Sequence, residues 1–582
     1  MVSVYCLGRR KVLILLMLFA LCLLVPTTMN LFNKANDEEV TIEEIESENN
    51  DEDKKVMFPA EEPKRLEIQK LNSLNDRFIP PQRVVHFDFK GSPPKVSYLK
   101  YVFPLIKEAG ATAVLLEYED MFPYWGPLKN ISSFLSYSIE DIKEILSVAK
   151  ENELEVIPLI QTFGHMEHVL KLDEFRKLRE VPIYPQSICP SQEKSFELIT
   201  IMIDQLLSLH SSSKWLHIGL DEVYQLGQCS LCSDRINKAN ANPDFTSYQD
   251  GRTLFLQHAH RVASYVRNKK KKIPIMWDDM LRSFPAHSLI DSNIGDLVEP
   301  MVWVYIEDID RFVDSATWTN YAEVFKYVWT ASAFKGAFGE RMFMVNIQRH
   351  VGNHLSWLEV MWRESSNPRR EIVEGQKDTP IQFRGIALSG WSRYDHFAVL
   401  CELLPPAIPS LILNLNILSR GAHDEEAIRK TSSLLECPVL KTSLTSESLL
   451  RDPFQAELSR CRFLGSNLFA LMSSYNSNKK EVESIFDRVN NHEGWMTPYN
   501  VKYRYSSPYR VHETMKSVSF FPGILLSLEH QISKTLAQYY HETVVEEWIE
   551  QHILPLQEKI QDLEERAKIL TSPTAWPRRP IG

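Results

Sequence analysis

The chain has 582 residues, 44% of them hydrophobic, and a formal net charge of -11. It exceeds the usual size of one domain and can bury a sizeable core, while the acidic balance, with no arginine-rich tract or zinc-finger spacing, excludes nucleic acid as a partner. Eight cysteines in so long a chain do not make a disulfide scaffold, and their pairing is not deducible from spacing.

Residues 1–11 form a basic flank ending in Arg9, Arg10 and Lys11, and residues 12–29 an apolar segment opening VLILLMLFALCLLV. A relaxed membrane span needs about 17 to 25 residues, and the run reaches the lower limit only with Thr27, Thr28 and Met29 included. The expectation is a type II signal-anchor, with the basic flank cytoplasmic and the body luminal, in the Golgi or another endomembrane. The alternative is a cleaved signal peptide and secretion. Asn130-Ile131-Ser132 is a candidate N-glycosylation sequon compatible with either route. Residues 30–79 carry the acidic run NDEEVTIEEIESENNDED. Like charges repel and few large apolar groups are available to bury, so an extended stem is expected.

From residue 80 apolar strand candidates alternate with amphipathic helices, the pattern of a parallel α/β domain. Strands are expected near residues 83, 112, 156, 216, 274, 299, 326 and 384. That number closes a TIM-like (β/α)8 barrel, whose strand carboxyl ends carry the active site. The fold class read here is therefore α/β, with a barrel over 80–427, a mainly helical region over 428–582 and an N-terminal membrane or signal segment. In the C-terminal region Ile553, Leu556, Ile560, Leu563, Ala567 and Leu570 present one apolar helical face, suited to packing on the barrel or to self-association as a homo-dimer.

The strand ends carry the chemistry. Trp215, Leu216 and Ile218 make a short buried run that stops at Asp221 and Glu222, and an acidic pair there is costly unless used. Consecutive strand residues point to opposite faces, so the two share a pocket only where the strand ends. His165 follows the third strand, with Glu167 and His168 beside it in a spacing that is not zincin-like. Trp277, Trp303, Trp329 and Trp391 recur near the last four strand ends and suggest a pocket wall for the apolar face of a sugar. Asp278 is favoured over Asp279 as a polar pocket group. Tyr305, Tyr394 and Asp395 complete the candidates, with His86 or Asp88 nearest the pocket on the first strand. Cys229 and Cys232, in CSLC, are candidates for a loop disulfide, for unpaired thiols or for half of a metal site; no second cluster has the spacing to complete four ligands.

The passages PLIQTFGHMEHVLK, HIGLDEVYQLG, MWDDM and LSGWSRYD, each at an expected strand end, resemble family 20 glycoside hydrolases, in particular the hexosaminidase D group, over about residues 80–425. The resemblance implies a retaining exo-β-N-acetylhexosaminidase in which the acetamido oxygen of a terminal N-acetylgalactosamine or N-acetylglucosamine on a glycoconjugate attacks the anomeric carbon, the exception to the two-carboxylate scheme. Carried onto this chain, Glu222 is the general acid and base, Asp221 holds the acetamido N–H, and a tyrosine, Tyr305 or else Tyr394, donates to the acetamido oxygen. Trp391 packs against the terminal sugar, His165 supports the polar network, and no metal or cofactor is implied. Glu222 then needs a raised pKa and Asp221 a persistent charge. WSRYD departs from the tryptophan-glycine-glutamate segment of the lysosomal members, and leaves the hydroxyl-binding carboxylate, Asp395 among the candidates, open. Two other readings stand beside this one: a glycan-binding protein on an inactive barrel, and a glycosidase with a carboxylate nucleophile such as Asp278.

Overall fold

The computed structural model describes residues 77–241, 250–366, 380–438 and 457–581. Eight parallel strands close a barrel: β1 (Gln82–Asp88), β2 (Ala113–Glu117), β3 (Glu155–Leu159), β6 (Trp215–His217), β7 (Ile273–Trp277), β8 (Glu299–Trp303), β9 (Val328–Lys335) and β10 (Phe383–Gly390). A separate antiparallel hairpin, β4 (Arg179–Val181) and β5 (Tyr184–Ile188), lies in the connection from β3 to β6.

Because both faces of these strands are covered, they read as nearly continuous apolar runs. The pleat sorts them. Val84, Leu115, Ile157, Leu159, Ile275, Met301, Ala331 and Ala387 fill the lumen, while Val85, Phe87, Val114, Leu116, Leu216, Met276 and Val302 face the surrounding helices. The floor of the lumen is polar at one point. Glu299, first in β8, accepts from the indole Nε1 of Trp215 at 3.2 Å and of Trp329 at 2.8 Å, and pairs with Arg384 at 2.9 Å. Trp329, expected in the pocket wall, is the second residue of β9 and so belongs to this floor, at the opposite end of the barrel from the strand carboxyl ends.

The ring is uneven. β9 and β10 have 8 residues each and pair along their length, whereas β6 has 3 and meets β3 in a single register pair, Leu159 with His217.

The C-terminal helices Ser466–Asp487, Phe521–Leu536, Glu542–His552 and Leu554–Thr571 are joined to the barrel by specific contacts. The Lys95 amide donates to the Tyr539 carbonyl at 2.7 Å, the Leu404 amide to the Tyr540 hydroxyl at 3.2 Å, and Arg393 pairs with Glu547 at 2.6 Å. Ile553, Leu556, Ile560, Leu563, Ala567 and Leu570 are buried within the chain, so the face considered for a homo-dimer is consumed by intramolecular packing. Cys437 and Cys461 form a disulfide.

The described residues do not bear out the expected membrane-spanning segment. Among the described residues no helix is long and apolar enough to cross a membrane, and residues 12–29, like the acidic stem up to residue 76, lie outside them. The described residues therefore give no support to the type II topology, the endomembrane location or the membrane as a partner.

Candidate active site

The strand carrying the acidic pair stops at His217, and the turn after it has an unusual backbone. Gly219, Leu220 and Glu222 have φ of 69, 75 and 50°, the left-handed region that leucine and glutamate seldom occupy. This sharp turn defeats the alternation of a regular strand and brings the neighbours Asp221 and Glu222 into one pocket. Glycine is required at two places. A Cβ on Gly219 would fall 1.9 Å from Gln161 Oε1, and one on Gly164 would fall 2.4 Å from the Asp221 carbonyl oxygen. The second of these lets the His165 loop lie directly against the acidic turn.

His165, also left-handed at φ 51°, is the hub. Its Nε2 lies 3.2 Å from Glu222 Oε2 and 3.5 Å from Asp221 Oδ2, and its Nδ1 is 4.0 Å from Glu167 Oε1. Burial opposes charging of the ring, but the Asp221 carboxylate, the hydrogen bond with Glu222 and the Glu167 charge outweigh it and raise the pKa to about 10. Burial raises Asp221 to about 6, against the pull of His165. Burial likewise pushes Glu222 upward, yet the hydrogen bond and charge of His165, with the Tyr224 hydroxyl at 3.0 Å, leave it below its ordinary value. The order expected from sequence is thus inverted, because the imidazolium sits on Glu222 itself. Asp221 Oδ1 is buried and has no hydrogen-bond partner in the protein, an acceptor left without a donor.

Asp278 and Asp279 exchange the places expected for them. Asp278 receives Arg282 at 2.7 Å on each oxygen, the Trp303 amide and the Tyr321 hydroxyl, and is fully buried. It is a structural anchor. Asp279 instead accepts from the Glu222 amide at 2.9 Å and from Trp303 Nε1 at 3.1 Å, and burial raises its pKa to about 7. The WDD triplet alone gives no sign of which carboxylate turns inward.

Trp277, Trp303 and Trp391 do gather at this end. The rings of Trp277 and Trp391 lie 6.0 Å apart and those of Trp303 and Tyr305 5.3 Å apart. Trp391 Nε1 donates to the Tyr305 hydroxyl at 2.9 Å, which in turn is 3.4 Å from Ser389 Oγ. Behind Trp391 stand His86, at 4.7 Å between rings, and Lys90, 4.8 Å from the indole centroid and paired with Asp88 at 2.8 Å. Lys90 and Tyr224 are polar groups of the site that no sequence pattern singled out. Tyr394 is 59% exposed. The Asp395 side chain accepts from the Phe397 and Ala398 amides and shapes its own turn, while Arg393 turns to Glu547. Asn130 lies on the exposed surface, 3.2 Å from Glu174 Oε1. Cys229 and Cys232 are free thiols, not joined to each other.

A parallel barrel with ionisable carboxylates at its carboxyl mouth, an imidazole shared between them and an indole wall is the construction of a glycoside hydrolase. Comparison with known proteins makes this specific. The profile described as "Glycosyl hydrolase family 20, catalytic domain" matches residues 101–324. The chain is 37% identical over 503 residues to Hexosaminidase D of Homo sapiens, covering 86% of this chain and 96% of that protein. It is 44% identical over 355 residues to Hexosaminidase D of Bos taurus, covering 61% and 96%. The X-ray structure of Flavobacterium johnsoniae chitobiase aligns at TM-score 0.44 and 12% identity over 84% of this chain and 72% of that one, too distant to carry weight. The chain belongs to glycosyl hydrolase family 20. It is an enzyme of the exo-β-N-acetylhexosaminidase type, working by the substrate-assisted mechanism of that family.

Proposed function

We infer that Glu222 is the general acid and base of this hydrolysis and that Asp221 holds the acetamido group of the terminal sugar. The observation that carries the reading is the single His165 Nε2 lying within 3.5 Å of both carboxylates. In the resting site the proton is on the imidazole and Glu222 is ionised. As the glycosidic oxygen approaches, the Nε2 proton passes to Glu222 Oε2 at 3.2 Å and from there to the leaving oxygen. Asp221 Oδ1, buried without a donor, accepts the acetamido N–H. Its charge then stabilises the positive oxazolinium as the acetamido oxygen attacks. Glu222, again a carboxylate, takes a proton from the water that opens this ring. Glu167, raised to about 7 by burial, stands behind His165 on the other ring nitrogen.

Tyr305 is the better placed tyrosine for the acetamido oxygen, since Trp391 fixes its hydroxyl and Tyr394 lies exposed. Asp279 takes the positioning role expected of Asp278, through the Glu222 amide. A carboxylate nucleophile at Asp278 is disfavoured because Arg282 occupies both of its oxygens. Residues 80–427 are the proposed catalytic barrel, and the substrates are terminal β-linked N-acetylgalactosamine or N-acetylglucosamine of glycoconjugates.

The test compares the chain with its Glu222→Gln variant on paired aryl β-N-acetylgalactosaminide and β-N-acetylglucosaminide substrates between pH 4 and 8. Loss of general acid catalysis is expected to lower kcat by about 100- to 10,000-fold, and the ratio between substrates gives the sugar preference. Release that persists undiminished in the variant would remove Glu222 from this role.

A further inference from the structure

Beside the acidic turn lies a second cluster of chemistry-bearing residues. Glu180 of β4, Cys189 just after β5, and Cys229 and Cys232 bring one carboxylate oxygen and three sulfurs within 4.8 Å of one another. Cys189 Sγ is 3.3 Å from Cys229 Sγ and 3.6 Å from Cys232 Sγ, and Cys232 Sγ is 3.2 Å from Glu180 Oε2. Glu180, Cys189 and Cys232 are buried, and the cysteines are free. A tetrahedral zinc with Zn–S near 2.3 Å and Zn–O near 2.0 Å would set sulfurs about 3.8 Å apart and sulfur to oxygen about 3.5 Å apart. The distances from Cys189 Sγ to Cys229 Sγ and Cys232 Sγ, and from Cys232 Sγ to Glu180 Oε2, lie slightly inside that spacing, and all four atoms fall within 4.8 Å of one another.

The surroundings separate a metal site from a redox site. Reactive thiols sit in electropositive surroundings. Here the nearby charged group is a carboxylate, and among the described residues no lysine, arginine or histidine pairs with Glu180. With the thiols deprotonated, three sulfurs and a carboxylate would hold like charges together in a buried site, which is costly unless a cation joins them. The rest of the cluster suits ligation. Glu180 Oε1 accepts from the Gln228 and Cys229 amides at 2.7 and 3.0 Å, which leaves Oε2 for the centre. The Cys232 amide donates to Cys229 Sγ at 3.3 Å, and Ser191 Oγ lies 3.0 Å from Cys232 Sγ, so the ligands are held by outer hydrogen bonds. The helix Ser230–Asn240 begins here and offers its positive end to an anionic set.

We propose that Glu180, Cys189, Cys229 and Cys232 bind one structural zinc ion, a closed four-ligand site distinct from the glycosidase centre. Soft thiolates select zinc over calcium or magnesium. Cysteines 40 residues apart in the chain, with a glutamate from a third segment, escape any local spacing rule. The ion spans two loops that matter. The β4–β5 hairpin holds the His165 loop through Met166 N to Gln186 O at 2.9 Å and Ile188 N to Phe163 O at 3.1 Å, while Cys229 and Cys232 come after the Glu222 turn. Zinc would therefore clamp the loop of His165 to the loop of Glu222.

Elemental analysis of the full chain, purified without chelator, is expected to find about one zinc per chain, falling at least five-fold in Cys189→Ser and Cys232→Ser and unchanged in Cys401→Ser. Cobalt exchanged into the chain should give a thiolate charge-transfer band that the two site variants lack. If those variants fail to fold, alkylation of the intact chain decides: three thiols should be protected until a chelator is added. Protein without stoichiometric zinc, or a mapped disulfide between Cys189 and either Cys229 or Cys232, would overturn the proposal. None of these readouts depends on glycosidase activity, so failure of the zinc site and failure of the catalytic assignment are told apart.

Discussion

His165 governs the ionisation of both catalytic candidates. Asp221 at about 6 predicts an acidic limb of kcat/KM near pH 6, because its carboxylate is needed and is lost as pH falls. Since the His165 charge pulls Asp221 down, His165→Asn should move that limb to higher pH; a limb left in place would show that the imidazole does not act on Asp221. The same groups shape stability. His165 has its pKa raised from 6.5 to about 10, so its contribution is full below pH 6.5 and lost as pH rises through about 10. Asp221, raised from 3.8 to about 6, likewise favours the folded chain below pH 3.8 and loses that contribution as pH rises through 6. The paired aspartates permit a second test. Asp278→Ala leaves the Arg282 guanidinium, itself 19% exposed, without its partner, and should cost about 3–5 kcal/mol in denaturant unfolding. Asp279→Ala should instead lower kcat with a smaller loss of stability. Strand ends and motif singled out the candidates His165, Asp221 and Glu222 that lie together here, but not Lys90 or Tyr224, nor the direction in which Asp278 and Asp279 turn. That direction depends on Arg282, Tyr321 and Trp303, brought in by other elements.

At the scale of elements, the strands were legible because a parallel barrel buries both faces and leaves runs such as AVLLE and VWTASAFK, while polarity returns at their carboxyl ends. What composition could not reveal was the depth at which each tryptophan sits. Trp329 lies one residue into β9, and only the register with β8, Met301 opposite Trp329, puts it on the floor with Glu299. The turn after β6 makes the next prediction. Gly219→Ala meets both a left-handed φ of 69° and the Gln161 side chain, so activity should fall steeply. The combined change Gly219→Ala with Gln161→Ala removes the side-chain part of the collision, leaves the Gln161 Cα 3.2 Å from the new Cβ and keeps the strained φ, and should recover part of the stability as measured by thermal unfolding.

For the whole molecule, the C-terminal helices are part of the catalytic body. Arg393 stands two residues after Trp391 and reaches Glu547 at 2.6 Å, so the wall of the sugar site and the C-terminal helices share one ion pair. A double-mutant cycle on Arg393 and Glu547 should give a coupling of about 0.5–3 kcal/mol, larger than for an exposed pair. The apolar periodicity from Ile553 to Leu570 announced a buried face but not its partner, since packing within and between chains calls for the same pattern. The N-terminal apolar run shows another limit: hydropathy alone suggested a type II topology, and the run lies outside the described residues, among which no helix is long and apolar enough to cross a membrane.

The lone register pair between β3 and β6 has a bearing on time rather than on shape. A ring of strands opens where it is least joined, and here that place is next to the Glu222 turn, while β9 and β10 stay locked along eight residues each. Exchange of the Ile160 amide, which donates to the His217 carbonyl across this joint at 3.0 Å, should therefore run ahead of exchange at Ala331 and Ala387 under native conditions. The carboxylates and their imidazole would then owe their lifetime together less to the barrel than to the loops that bridge its narrowest joint.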